Sequence, residues 1–165
     1  MKARKILSLI IPILLVTLIF QSCSQKKFNG TLACDELSMR LSSEIHPSDG
    51  EFEAYSNEEL TFLFPSSDLY DDAYVVYSSD STDVCEVGIF HAPDEESAKR
   101  LFDEAKSYIK NMQEQKSEFL RNYSPAELPK LNSAEARRFG NYVIFAIGEQ
   151  DDKSNLFKKA EELLS

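Results

Sequence analysis

From Asp94 to Leu120 the sequence carries one long helical pattern, and its length constrains everything around it. Ala98, Leu101, Phe102, Ala105, Tyr108, Ile109 and Met112 recur at helical spacing. Acids fill the opening Asp94-Glu95-Glu96, where the helix dipole favours them. Such a helix is about 40 Å long, whereas a seven-residue strand covers about 23 Å. It must therefore bend or overhang the end of any sheet of ordinary strands. The apolar pattern fades over residues 113–118 and returns at Phe119 and Leu120, so the overhang has apolar residues of its own.

Strand-like runs lie on both sides of this helix. Residues 73–77 (Ala-Tyr-Val-Val-Tyr) and 84–91 are β-branched and aromatic, separated by the turn material Ser78 to Asp83. Within the second run, Cys85, Val87 and Ile89 share one face, and Glu86 and Gly88 the other. After the helix, residues 134–139 and 142–147 flank Gly140-Asn141, a second hairpin whose last strand is nearly all apolar and therefore central. Four helical segments complete the pattern. One spans about 32–45, with Cys34, Leu37, Leu41 and Ile45 inward. A short one covers Glu58 to Phe64 with Asn57 as its cap. Ser124-Pro125-Ala126-Glu127 opens a turn that ends near Pro129. The last runs from Asn155 to Leu164. Residues 46–57 read as loop. The expectation is one α+β domain, with about four largely antiparallel strands in two hairpins and helices packed on one face.

The amino terminus follows different rules. Met1-Lys2-Ala3-Arg4-Lys5 is basic, and Ile6 to Phe20 is apolar apart from Ser8 and Thr17, with Pro12 inside. Fifteen helical residues reach about 22 Å, short of the roughly 30 Å hydrocarbon core. That is a signal-peptide pattern. Cys23 follows it directly, preceded by the small residue Ser22, in the arrangement by which bacterial lipoproteins receive a thioether-linked lipid. Phe20 and Gln21 depart from the usual lipobox residues. An ordinary cleaved signal and an uncleaved anchor helix remain alternatives. The resulting division is a lipoprotein-type signal over 1–22, a polar tether over 23–31 and one domain over 32–165. Lipidation at Cys23 would hold the domain at the outer face of the cytoplasmic membrane without a spanning helix.

Charge narrows the partners. Residues 1–22 hold three of the 18 basic residues and none of the 28 acids, so the remainder carries a formal charge of −13. That argues against nucleic acid, which requires a basic footprint. It also argues against the domain lying flat on anionic lipid. Cys34 and Cys85 are left once Cys23 is assigned. In an exported chain they are either a disulfide or two buried thiols, each falling on the apolar face of its element. There is no CxxC, so neither a redox motif nor a zinc site is supported.

Glu86-Val87-Gly88-Ile89-Phe90 runs into the long helix with its acidic start. Gln115, Phe119, Tyr123, Pro125 and Glu127 follow, and then Gly140-Asn141-Tyr142-Val143 and a strand. In order and spacing these residues resemble the family called domain of unknown function 4358, found on lipoproteins of Gram-positive bacteria. The resemblance covers roughly residues 34–164. It implies a lipoprotein of the cell envelope and carries no catalytic residue, ligand or partner with it. Cys34 and Cys85 are not features of the family, so a bridge between them would be particular to this chain.

Few residues are candidates for chemistry. His46 and His91 are far apart, and neither has a metal-ligand spacing. Asp68, Asp71 and Asp72, and Asp80 with Asp83, are ordinary turn residues that match no calcium loop. There is no nucleophile elbow, phosphate-binding glycine loop or reactive-cysteine signature. Arg137-Arg138 should point to opposite faces, the inward one needing a carboxylate. Three readings of function follow. The first is a non-enzymatic interaction module without a cofactor or metal. It would bind an unknown protein or envelope component through the overhanging helix end, with Gln115, Phe119, Arg121 and Tyr123 as candidate contacts; the competing and favoured expectation is that Phe119, Leu120, Tyr123 and Leu128 cap the core beneath the sheet end. The second is a carrier with a cavity lined by Tyr74, Tyr77, Phe102 and Tyr108. The third is a hydrolase using two carboxylates about 5–9 Å apart.

Overall fold

The computed structural model describes residues 27–28, 30–48 and 50–165. The signal segment and Cys23 lie outside the described residues. The chain runs through α1 (Cys34–Leu41), β1 (Phe52–Ala54), α2 (Asn57–Leu63), a 3-10 turn at Ser67–Leu69, β2 (Asp72–Ser78) and β3 (Glu86–His91). It continues through α3 (Glu95–Tyr123), α4 (Leu128–Asn132), β4 (Glu135–Phe139), β5 (Tyr142–Ile147) and α5 (Gln150–Leu164). The strands form one sheet in the order β1-β2-β3-β5-β4, with every neighbour pair antiparallel. The α+β class, the single domain and the two hairpins stand as the sequence predicts.

The strand count and the layering differ from the prediction. β1 is a fifth strand within the segment read as loop. It is only three residues long, and its pairing with β2 supplies the order that its own sequence does not. Helices also cover both faces rather than one. On the first face Val87, Ile89, Ile144 and Ala146 pack against Leu37 and Leu41 of α1 and Leu156 and Ala160 of α5. On the second face Val75, Phe90, Val143 and Phe145 pack against Leu60 of α2 and Leu101, Ala105 and Tyr108 of α3. A central strand between two helix layers has no wet side, which is why all six residues of β5 are buried.

Gly88 marks the closest approach inside this sandwich. It is paired with Phe145 across β3 and β5, and the aromatic ring lies over it. A β-carbon at position 88 would stand 2.0 Å from Phe145 Cε1. Gly140 is required for a different reason. It opens the two-residue β4–β5 turn at φ +62, the left-handed region that glycine enters without steric cost.

The long helix overhangs. Asp94 caps it, its carboxylate accepting from the Ser97 N–H at 2.8 Å, and 29 residues follow without a break. Its last turns are propped by a third, smaller cluster in which Leu120 meets Leu131 of α4, Val84 and Ile147. Gln113 donates to the Leu131 carbonyl at 3.0 Å, tying the two helices together. The short α2 starts one residue earlier than predicted, because Ser56 rather than Asn57 is the cap. Ser56 and Glu59 complete a reciprocal capping box.

The last residues of the expected tether belong to the folded domain. Phe28 meets Phe139 edge-on, with ring centroids 5.5 Å apart. The Gly30 N–H donates to the Leu164 carbonyl at 3.1 Å. The Tyr142 hydroxyl accepts from the Leu32 N–H and donates to the Leu32 carbonyl. Among the described residues, no helix is long and apolar enough to cross a membrane.

Candidate functional site

A groove of about 330 Å³ opens on the first face, between the outer side of α1 and the β1–β2 edge of the sheet. Its floor is apolar, with Phe52, Ala54, Tyr74 and Val76 along the strands. Asp35, Ser38 and Ser42 give its α1 rim a polar character. Met39 stands over it 71% exposed, an unusual position for a large apolar side chain. This is not the cavity expected from the sequence. Tyr74 lines the groove, but Tyr77 is an odd number of residues further along β2 and faces the other way. Tyr77, Phe102 and Tyr108 lie on the α3 side of the sheet, where Phe102 and Tyr108 belong to the second core.

The overhanging end of α3 forms a second surface. Phe119 is 48% exposed and Tyr123 74% exposed, and their rings pack against each other with centroids 5.0 Å apart. The core takes Leu120 and leaves this pair outside. Gln115, Phe119 and Tyr123 are spaced by four, so they form one exposed stripe. Arg121 is exposed as well, but two residues of helix turn it about 200° from Phe119. Three of the four candidate contacts are therefore brought together, and Arg121 is on the far side of the helix.

The most unusual chemistry lies beneath the second face, at a residue that strand alternation alone would place in solvent. Glu86 is 3% exposed. Its Oε1 accepts a hydrogen bond from the Tyr108 hydroxyl at 2.7 Å. Tyr55 reaches the same Tyr108 hydroxyl, and its ring stacks on Tyr77 with centroids 4.3 Å apart. Burial pushes the Glu86 carboxyl up to about 7, against the smaller opposing effects of the Tyr108 hydrogen bond and the Lys116 charge. The sequence signal was available. A carboxylate in a strand faces solvent only if that face is open, and here a helix covers it.

Several other polar groups hold elements of the fold together. Glu127 and Lys130 form a buried ion pair at 2.6 Å. Glu127 also accepts from the Val84 N–H, and Lys130 donates to Ser48, so the pair fastens two loops to α4. Lys153 is fully buried and donates to both oxygens of Ser133, and desolvation holds its ammonium below the usual lysine range. His91 meets Asp71 at 2.6 Å. Arg137 pairs with Glu135 and lies over the Phe157 ring, while Arg138 approaches Glu95 of α3 at 3.6 Å. Each arginine thus meets a helix on its own face, but Arg138 Nη1 is buried and makes no hydrogen bond among the described residues. Among the described residues, no group of three or more His, Cys, Asp or Glu side chains could hold a metal ion.

Cys34 and Cys85 are free and buried in the same core. They do not form the bridge that the sequence left open. The Cys34 N–H is bonded to Asp72, which pairs with His91 at one end of β3, and Cys85 precedes Glu86 at the other end. The separation is about 20 Å, the length of the strand, far beyond the roughly 7 Å that a disulfide spans.

The fold defines a class, a five-stranded antiparallel sheet enclosed between helix layers, with a groove at one edge. The chain belongs to the family of the Domain of unknown function (DUF4358), whose family model matches residues 55–148. That span includes Tyr55, Glu86, Tyr108 and the Phe119–Tyr123 pair. α1, β1 and α5 lie outside it, so the groove is walled partly by residues beyond the matched span. No curated protein and no solved structure matches the chain.

Proposed function

We propose that this chain is a lipid-anchored extracytoplasmic interaction module, non-enzymatic, held at the membrane through Cys23. The observation that carries the binding role is the Phe119–Tyr123 pair. Two aromatic rings in contact stand exposed at the tip of a helix that extends past its own sheet. Rigid aromatics are the residues that dominate contact energy when a partner desolvates them. The anchoring role rests on the basic start, the short apolar run and Cys23. The surface charge of the rest of the chain favours a protein or envelope partner over nucleic acid.

The test is in-cell photocrosslinking from position 119 in the full-length chain. A defined partner crosslinked there, and lost with Tyr123→Asp, supports the reading. Crosslinks unaffected by Tyr123→Asp count against it. Cys23→Ala should release the protein from membranes, and persistent association would refute the lipid anchor. The second reading, a small-ligand carrier, is favoured by one observation, the groove of about 330 Å³, which reaches the lower end of the range for ligand sites. A small molecule that co-purifies stoichiometrically and contacts Tyr74 would move it to first place.

A further inference from the structure

The groove lies beside an open sheet edge, and the two share residues. Tyr55 donates to the Val75 carbonyl and Ser79 to the Glu51 carbonyl, so odd-numbered residues of the β1 segment carry the bonds to β2. In an antiparallel ladder the alternate residues turn their N–H and C=O the other way. Phe52 and Ala54 therefore turn backbone groups outward that have no strand partner among the described residues, and the same two side chains line the groove. A strand added at this edge would bond to Phe52 and Ala54. Every second side chain of that strand would enter the groove beside Met39.

We propose that the β1 edge and the α1 groove together bind an extended segment of a protein partner, in which apolar residues alternate with basic ones. The apolar positions follow from the groove. The basic positions follow from the other side of the edge, where Glu51 and Glu53 stand exposed on a chain of strongly acidic surface. The residue opposite Glu53 would lie on that acidic side. A second copy of this chain fits less well. Antiparallel pairing of two β1 strands through both Phe52 and Ala54 would set Glu53 directly against its own copy, and facing like charges are destabilising. A small ligand would use the groove but leave the outward backbone groups unused. This inference rests on the reading of the chain as an interaction module but concerns a different surface, so crosslinking from position 119 is unaffected by its failure.

The experiment uses the full-length chain in detergent and synthetic nonapeptides in which lysine alternates with valine, leucine or phenylalanine. Affinity is read by fluorescence anisotropy, and amide exchange is read at Phe52 and Ala54. At least one peptide should bind, protect both amides and fail when its backbone is N-methylated at the central positions. Ala54→Pro removes an outward N–H without removing a ladder bond, as proline at a sheet edge allows. It should weaken binding about tenfold or more. The idea is overturned if no peptide binds at about 1 mM. It is also overturned if the N-methylated peptide binds as well as its parent, or if a folded Ala54→Pro protein binds unchanged. Sedimentation showing a dimer that Ala54→Pro dissolves would overturn it in favour of self-pairing.

Discussion

Replacing Glu86 with glutamine should stabilise this protein at pH 8 and leave it nearly unchanged at pH 4.5. In the folded state burial raises the carboxyl to about 7, whereas the unfolded chain returns it to its ordinary value of 4.5. Between those values the folded protein binds the extra proton. Stability from this group is therefore full below about pH 4.5 and is lost as pH rises through 7. The gap of about 2.5 units at 1.36 kcal/mol each gives about 3 kcal/mol at the alkaline plateau. Glutamine keeps an oxygen for the Tyr108 hydroxyl and carries no charge to desolvate. Urea unfolding of both proteins from pH 4.5 to pH 8.5 measures the difference directly. The depressed acids at Glu59, Asp80 and Asp94 titrate in both proteins and cancel in the comparison. Tyr108→Phe should act in the opposite direction, costing more at pH 8 than at pH 5, because it removes the donor that supports the charged form. A wild-type and Glu86→Gln difference that is flat with pH would refute the assignment of the burial penalty to Glu86.

Three further predictions rest on single contacts. Gly88→Ala should cost more than about 3 kcal/mol or abolish folding, since the Phe145 ring it would strike is fully buried and has no room to move; thermal unfolding measures this. Ser56→Ala should cost about 1 kcal/mol by loss of the α2 cap, read from the urea midpoint. The folded protein should show two thiols outside the N-terminal segment that label slowly at pH 8, and a reductant should leave its stability unchanged. Burial pushes Cys85 up to about 12 and Cys34 higher still, so neither offers much thiolate, and a rapid reaction at either would contradict their placement.

Long-period features of the fold were legible in the sequence, and short or context-dependent ones were not. α3 announced itself through its stripe and its acidic start, and the β4–β5 hairpin through Gly140-Asn141. β1 left no trace, because a three-residue edge strand with one large apolar side chain has no period to detect. The second helix layer was hinted at by Val143-Ile144-Phe145-Ala146-Ile147, since a strand with one wet face alternates and this one does not. Reading that run as central but covered on one side alone gave no sign that Glu86 is buried, because its burial depends on α3 lying over it. At the helix tip, Gln115, Phe119 and Tyr123 are spaced by four and share one exposed stripe. Arg121, grouped with them by nearness in sequence, is carried to another side of the helix by the helical rotation. The groove depended on two segments, around Met39 and Phe52, that each look unremarkable alone and acquire meaning only when β1 pairs with β2.

The placement of the amino terminus bears on which of these surfaces is free. Phe28 packs on Phe139 and Gly30 on Leu164, so the chain enters the domain beside β4, one edge of the sheet. β1 is the opposite edge, four strand spacings away, or about 19 Å. In the lipid-anchored reading proposed above, the tether leaves from the β4 side and the groove edge is the one remote from it. Sheet edges are usually protected because an open one pairs indiscriminately. Here β1 is kept short and carries Glu53, with Glu51 just before it, which discourages pairing with copies of itself. The same acids favour a basic strand. On the proposed reading, an edge that is open, acidic and directed away from the anchor would be selective rather than merely unprotected, as a docking site requires and a strand that simply ends the sheet does not.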